Sequence, residues 1–264
     1  PIFANQVLDP VRLASLAPCG ARVTVAVDSE ATIDAAARAG IREVLIDVSV
    51  GMPRCGCAPD DAARIADRAR AAGLTVRGIM GYEGHVVGIP DRTERANGVA
   101  DATAILAAAH AEVGGEVISS GGTTTYDLHT VATEIQAGSY ALMDTAYGAF
   151  GLPFAPALAI TATVLHVGPR HAVADCGLKA HAMDHGDPVI DDADVWFCSD
   201  EHVTFAPHRP LAVGARVTVR PAHVDPTVSQ HERMHLVESF DPDAAVIDTW
   251  AVDLRGWDPP EVRR

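Results

Sequence analysis

The feature that most constrains the fold is an alternation in the first half of the chain. Short β-rich runs at residues 22–28, 43–48, 74–80, 116–119 and 133–135 are separated by alanine-rich stretches with helical character at about 30–39, 60–72 and 91–113. Residues 1–5 read as the end of one further strand. Asp60 and Asp61 suit the positive end of their helix. Strands separated by helices imply βαβ units and a parallel sheet. Polar and glycine residues gather just past the strands: Asp28-Ser29, Gly51-Met52-Pro53-Arg54, Gly81-Tyr82-Glu83-Gly84-His85, Gly121-Gly122-Thr123 and Gln136-Ala137-Gly138-Ser139. In a (β/α) barrel that rim carries the chemistry. A doubly wound open sheet is the rival, but no Gly-x-Gly-x-x-Gly fingerprint follows an early strand.

From Gly151 the pattern changes. Gly151-Leu152-Pro153-Phe154-Ala155-Pro156 reads as a linker. Beyond it come alternating runs such as Ile160-Thr161-Ala162-Thr163-Val164 and Ala215-Arg216-Val217-Thr218-Val219, without a long helical stripe. We therefore expect an α/β barrel domain over residues 1–150 and a β-rich C-terminal domain over 157–264. A length of 264 residues suffices for a large core in one or two domains. The net charge of −15 argues against nucleic acid or an anionic membrane surface as partner. No apolar run reaches the length of a bilayer span. Five cysteines without a framework spacing suggest reduced thiols and a cytoplasmic location. Cys55-Gly56-Cys57 is too tight for a zinc knuckle, so those thiols read as structural.

Five segments can carry chemistry. In Gly121-Gly122-Thr123-Thr124-Thr125 the glycines admit close approach of an anion and the hydroxyls add donors, so the loop is either a phosphate cradle or a plain turn. Gln136-Ala137-Gly138-Ser139-Tyr140, after the next strand, offers a second set of backbone donors beside it. Arg54 sits in a glycine-bounded turn where its guanidinium can meet a phenolate or carboxylate. Tyr82 can stack on a ligand ring and His85 can titrate near neutral pH. Near the C-terminus, Pro221-Ala222-His223-Val224-Asp225-Pro226-Thr227 places an imidazole and a carboxylate two residues apart. In an extended segment both leave the same face, as ligands for Mn²⁺ or Zn²⁺ would. The same spacing also describes a satisfied strand histidine beside a solvated aspartate. Pro226 discourages regular structure just beyond.

Taken together, these segments resemble the D-threonine aldolase and D-serine dehydratase family, pyridoxal-phosphate enzymes of the alanine-racemase fold type (fold type III). The stretches that carry the resemblance are Ala4-Asn5-Gln6-Val7, Val25-Ala26-Val27-Asp28-Ser29, Gly51–Gly56, Gly81–His85, Gly121–Thr123, Glu134–Asp144, Asp175-Cys176-Gly177-Leu178-Lys179, Asp200-Glu201-His202 and His223–Thr227, in the family's order. The resemblance implies an N-terminal TIM-type barrel followed by a β domain. It implies that Arg54 faces the cofactor's 3′-oxygen, that Tyr82 and Tyr140 line its site, and that Gln136 lies near the pyridine nitrogen. Gly122, Thr123, Gly138 and Ser139 would bind its phosphate. His223 and Asp225 would hold a divalent metal, manganese before zinc, that grips the substrate's β-hydroxyl. Aspartate at the second ligand position is more like the aldolases, whereas the dehydratases tend to use cysteine. The implied reaction is cleavage of a D-3-hydroxy amino acid to glycine and an aldehyde, in a homodimer.

One departure is large. The family's cofactor-bearing lysine stands at the end of the first barrel strand, and this sequence has no counterpart. Its only lysine, Lys179, matches a family lysine in the β domain. The chain begins at what would be the third strand, so we expect an incomplete (β/α)8 barrel lacking its first two βα units, with two unpaired edges. That suggests a truncated sequence or a mis-called gene start rather than a split protein completed by another polypeptide, with this fragment inactive alone and the catalytic residues outside it. D-serine dehydration and a non-catalytic phosphate-ligand-binding remnant are the alternatives. A metal-dependent barrel hydrolase is weakened because no second histidine pair stands at a strand end.

Overall fold

The computed structural model describes residues 2–18, 20–241, 243–253 and 255. Pro1 and residues 256–264, which the expected first strand and second domain include, lie outside the described residues. The described chain divides into two compact units, the first ending at Gly138 and the second starting at Ser139.

The first unit is an α/β half-barrel. Strands β1 (Ile2–Phe3), β2 (Thr24–Val27), β3 (Glu43–Asp47), β4 (Thr75–Met80), β5 (Val117–Ser120) and β6 (Glu134–Ile135) pair in sequence order. Every pairing is parallel. Each connection thus advances one strand in the same direction, the progression of a TIM-type barrel; among the described residues no strand closes β6 back onto β1. Four helices fill the connections: α1 (Pro10–Leu16), α2 (Glu30–Arg38), α3 (Ala62–Ala71) and α4 (Arg92–Val113). The alternation forecast from the sequence is present within one or two residues at most ends. It missed α1, although Asp9-Pro10 is a helix-start signal: Asp9 accepts from the amides of Val11 and Arg12, and Pro10 occupies the first position. The 60–72 helix opens instead as a 3₁₀ turn over Pro59–Asp61.

The strands are buried on both faces, which explains their unbroken apolar character. Val25, Val27, Val44, Ile46, Ile79 and Ile118 face one way, into the large cluster with Ile33, Ile65 and Leu106 from the helices. Ala26, Leu45, Met80 and Val117 face the other way and pack together with Ile2 and Ala4. Helix α3 buries Ala62, Ile65, Ala66 and Ala69, the spacing of a single helix face. Small alanines let helix and sheet approach closely, and the fully buried Ile33 alone contributes roughly 2–3 kcal/mol.

The second unit is antiparallel. After the short helix α5 (Thr145–Gly148) and an irregular stretch, strands β7 (Ile160–Val167), β8 (Ala172–Ala174), β9 (Val189–Ile190), β10 (Ala193–Cys198), β11 (Val203–Pro207) and β12 (Arg216–Arg220) form one sheet ordered β10-β11-β8-β7-β12-β9. Its core is Ala162, Val164, Ala172, Ala174, Val203, Phe205, Val217 and Val219. A helical turn, α6 (Val224–Ser229), then leads into the hairpin of β13 (Arg233–Val237) and β14 (Val246–Ala251). The extended reading of the His223–Asp225 segment is corrected here. His223 is extended at φ −141° and ψ 117°, but it is the N-cap of α6, and Asp225 lies in the first helical turn. Proline is tolerated there because a first-turn amide has no intrahelical acceptor. Thr227 adds a bond from its hydroxyl to the His223 carbonyl, at 2.6 Å. No described helix is long and apolar enough to cross a membrane.

Candidate functional site

In the first unit the loops that leave β3, β4 and β5 meet at the C-terminal ends of the strands. The Arg54 guanidinium lies over the Tyr82 ring, 5.2 Å from its centroid. On the same tyrosine rests Gly122, where a β-carbon would stand 3.4 Å from the ring; at Gly84 it would stand 2.5 Å from it, too close for any side chain. Arg54, Tyr82 and Gly122, singled out separately in the sequence, therefore form one contiguous cradle from three neighbouring loops. Gln136, after β6, is tied back to β5: its amide donates to the Ser119 hydroxyl at 3.1 Å, and Ser119 donates to Glu134 at 2.7 Å. Gly138 ends this unit.

Behind the cradle lies a fully buried carboxylate, Glu83. One oxygen accepts from the Ser120 hydroxyl at 3.0 Å and the Gly121 amide at 3.1 Å. The other accepts from the Thr125 hydroxyl at 2.6 Å and meets His129 Nε2 at 2.9 Å. Burial pushes the Glu83 pKa up, but the bonds from His129 and Thr125 outweigh it and hold the carboxyl down at about 2. Much of the Gly121–Thr125 loop's donor capacity is thereby spent inside the protein. Gly122's amide donates to Thr125 Oγ1 at 2.9 Å, and Thr124 Oγ1 donates to the Val87 carbonyl at 2.7 Å. The buried guanidinium of Arg95 adds a clamp, donating to the carbonyls of Ile89, Pro90 and Thr124.

A second acidic position sits at the ends of β2 and β3. Asp47 is buried and accepts from Gln6 Nε2 at 2.7 Å, while Asp28 accepts from the Gly56 amide at 3.1 Å. Burial pushes the Asp47 pKa up to about 6 against the Gln6 bond, with Asp28 adding to the rise and Arg54 opposing it. Burial likewise pushes the Cys57 thiol up to about 11, so it stays protonated and inert at neutral pH, in line with a structural role.

In the second unit, Ser139 and Tyr140 open a 3₁₀ turn over Ser139–Ala141. Tyr140 packs on Phe154 with ring centroids 5.4 Å apart. Asp144 is buried and works at two places: Oδ1 caps α5 through the Tyr147 amide at 2.8 Å, and Oδ2 accepts the Val224 amide at 2.9 Å. The Thr145 amide donates to the Pro221 carbonyl at 3.1 Å. These bonds pin the His223–Asp225 turn to the 139–148 segment.

There His223 Nε2 lies 3.7 Å from Asp225 Oδ2. Two metal–ligand bonds of about 2.1 Å span up to about 4.2 Å, so one ion can bridge these donors. The donor set, imidazole with carboxylate, suits manganese or zinc. On its other side His223 groups with Asp184 and His185, the donor atoms of these three lying within 4.8 Å of one another. Burial opposes ionisation of Asp184, but the hydrogen bond with His223 prevails and holds its carboxyl below the usual range. The single lysine, Lys179, is exposed and paired with Glu201, which raises its pKa further. A protonated, salt-bridged amine is a poor nucleophile.

Two family models match this chain. Residues 1–146 match "Alanine racemase, N-terminal domain", and residues 157–237 match "Putative serine dehydratase domain". A D-threonine aldolase from an Arthrobacter species is 32% identical, over 97% of this chain and 74% of its own length. The chain belongs to this family. A 3-hydroxy-D-aspartate aldolase from Paracoccus denitrificans is 33% identical over 97% of this chain and 73% of its own. The crystal structure of D-threonine aldolase from Filomicrobium marinum superimposes with a TM-score of 0.87 at 28% identity, covering 95% of this chain and 75% of that one. The D-threo-3-hydroxyaspartate dehydratase of a Delftia species, at 22% identity and a TM-score of 0.82, shares the fold and covers 97% and 79% of the two chains.

The resemblance to the D-threonine aldolase family was carried by short motifs in both units, and several residues that shape those motifs escaped the sequence reading. Glu83 stood inside a quoted motif, yet its four partners come from residues 37 to 46 positions away. Asp144 reaches across 80 positions to Val224. Asp184 and His185 belong to no motif, and local sequence held no signal for them.

Proposed function

We propose that this chain holds the cofactor- and metal-binding parts of a lyase that uses pyridoxal phosphate and a divalent metal to cleave D-3-hydroxy amino acids to glycine and an aldehyde. The observation that carries this reading is the His223–Asp225 pair, with donor atoms 3.7 Å apart, in a chain 32% identical to a D-threonine aldolase. Aspartate rather than cysteine in the second position favours aldol cleavage over dehydration.

Pyridoxal phosphate, when bound, supplies the electron sink for the carbanion left by cleavage. The cradle fits a flat anionic group: Arg54 would direct its charge at the cofactor's 3′-oxygen, Tyr82 would cover a ring face, and Gln136 would lie toward the pyridine nitrogen. Gly122 would admit the phosphate by lacking a side chain, its amide being held by Thr125. Thr123, Gly138 and Ser139 would complete the phosphate loop, with Tyr140 beside it. His223 and Asp225 would hold manganese in preference to zinc, and the ion would polarise the substrate's β-hydroxyl so that its proton leaves more readily. In this reading residues 1–150 serve the cofactor and 157–264 the metal, in a cytoplasmic homodimer.

The test is product analysis. The full-length protein incubated with D-threonine should yield glycine and acetaldehyde; pyruvate and ammonia from D-serine would instead establish the dehydratase reading. That second reading draws on the serine dehydratase domain match over residues 157–237. Adding pyridoxal phosphate to the chain as given should produce no absorbance band near ~420 nm, because the family's imine-forming lysine has no counterpart in this sequence. A band lost in Lys179→Ala would overturn this.

A further inference from the structure

We infer that Asp184 is a positioning residue that fixes the ring and tautomer of His223 so that its Nε2 faces the metal. The inference rests on the metal assignment above and adds a residue outside the quoted motifs. Asp184 Oδ2 lies 2.6 Å from His223 Nδ1. A carboxylate is acceptor-only, so Nδ1 carries the proton and donates it there. The lone pair then resides on Nε2, the nitrogen that faces Asp225 Oδ2. A ligating imidazole backed by a carboxylate on its other nitrogen is the arrangement that sets ring orientation and raises ligand basicity at metal centres.

The placement of Asp184 is built into the fold. Its segment is anchored to α6 and the residues just beyond it by two bonds, Ala182 N to Thr227 Oγ1 at 3.1 Å and His231 Nε2 to the Ala180 carbonyl at 2.7 Å, while Thr227 Oγ1 also donates to the His223 carbonyl at 2.6 Å. Thr227 thus touches both the segment that bears Asp184 and the histidine it orients. On the other side, the His185 ring stacks on His223 at 3.7 Å and 8° from parallel. The stacked His185 ring therefore supports the ligand ring from that side. Asp184 and His185 together confine His223 in both its rotational freedoms, tilt and spin about the Cβ–Cγ bond.

The experiment is Mn²⁺ titration of the purified chain, read as loss of the free-ion electron paramagnetic resonance signal, with thermal melting of the metal-free protein alongside. Asp184→Asn and Asp184→Ala should each weaken Mn²⁺ binding by about 10–100-fold, with little change in melting temperature. His185→Phe, which keeps a stacking ring, should hold the affinity within about threefold. His223→Ala and Asp225→Ala serve as the controls and should abolish binding. If they do and Asp184→Ala, which leaves Nδ1 without this acceptor, stays within threefold of the unsubstituted chain, the inference falls alone. If His223→Ala leaves the affinity untouched, the metal assignment falls and takes the inference with it. A loss in Asp184→Asn as complete as in His223→Ala would make Asp184 a ligand and overturn the positioning role.

Discussion

The carboxylates at the two sites are set in opposite ways. In the first, Glu83 is fully buried and every carboxylate oxygen has two partners, so the charge is a structural knot beneath the Gly121–Thr125 loop. In the second, Asp225 and Asp184 are exposed, and the neighbouring backbone is secured by others: Asp144, Thr227 and His231. A buried charge with satisfied partners is costly to break, because removal leaves its partners desolvated and unpaired. An exposed cluster costs little to hold and little to lose, and remains available to a ligand. Substitution of Glu83 should therefore register as lost stability, and substitution of Asp225 or Asp184 as lost binding.

The largest expected effect is at Glu83. Glu83→Ala should destabilise the protein by about 3–5 kcal/mol in urea unfolding, because His129 and Thr125 lose their acceptor inside the fold. Glu83→Gln, which keeps the shape, should cost less. The pH dependence has a definite sign. With its folded pKa at about 2, below the ordinary value of 4.5, Glu83 binds fewer protons folded than unfolded. Its contribution is fully present above pH 4.5 and is lost as the pH falls through about 2. A variant at Glu83 that unfolds at the same urea concentration as the unsubstituted chain would remove the contrast between the two sites.

Next comes Asp47, within the same unit but opposite in sign. Its folded pKa of about 6 stands above the ordinary 3.8, so the folded state holds the extra proton between those values and stability falls as pH rises through them. Asp47→Asn removes this slope. Relative to the unsubstituted chain it should gain roughly 2–3 kcal/mol at pH 7 and nothing below pH 3.8, read as the difference in melting temperature at the two pH values. Equal gains at both would show that the effect is packing and not charge. Asp144→Ala follows, at about 2 kcal/mol: it removes the cap of α5 and leaves the buried Val224 amide unpaired. Because Asp144 holds the turn that carries His223, this variant should also weaken Mn²⁺ binding. Unchanged affinity would detach the backbone grip from the metal pair.

How much of this was readable in advance follows from distance along the chain. The parallel sheet and its helices were legible because hydrophobic period and helix caps are local: Ser29 caps α2 and Asp91 caps α4 through residues three positions away. The cradle was legible as three separate motifs, Arg54, Tyr82 and Gly122, since each loop follows its strand. Their mutual contact was not, because it depends on the order in which β3, β4 and β5 pair. The His223–Asp225 turn was misread as extended because Pro226 was weighed as a breaker, when the first helical turn accepts proline. Asp184, 39 positions from His223, could be found only from the packing.

The smallest stability effect is expected where the binding effect is largest. His223→Ala removes a ring that is partly exposed and whose partners, Asp184 and Asp225, are themselves exposed and can be solvated by water. The fold around it is held by the His223 carbonyl, which alanine retains, and by the Asp144–Val224 bond, which the substitution does not touch. The cost should therefore stay within about 0.5 kcal/mol, the range of an ordinary surface change, while Mn²⁺ binding disappears. Melting temperature and Mn²⁺ titration on the same preparation read both quantities. A loss of 2 kcal/mol or more without metal would mean that the ring is part of the core of the second unit. The distinction between a carboxylate knot that is buried and a metal pair that is displayed would then fail at the residue where it matters most.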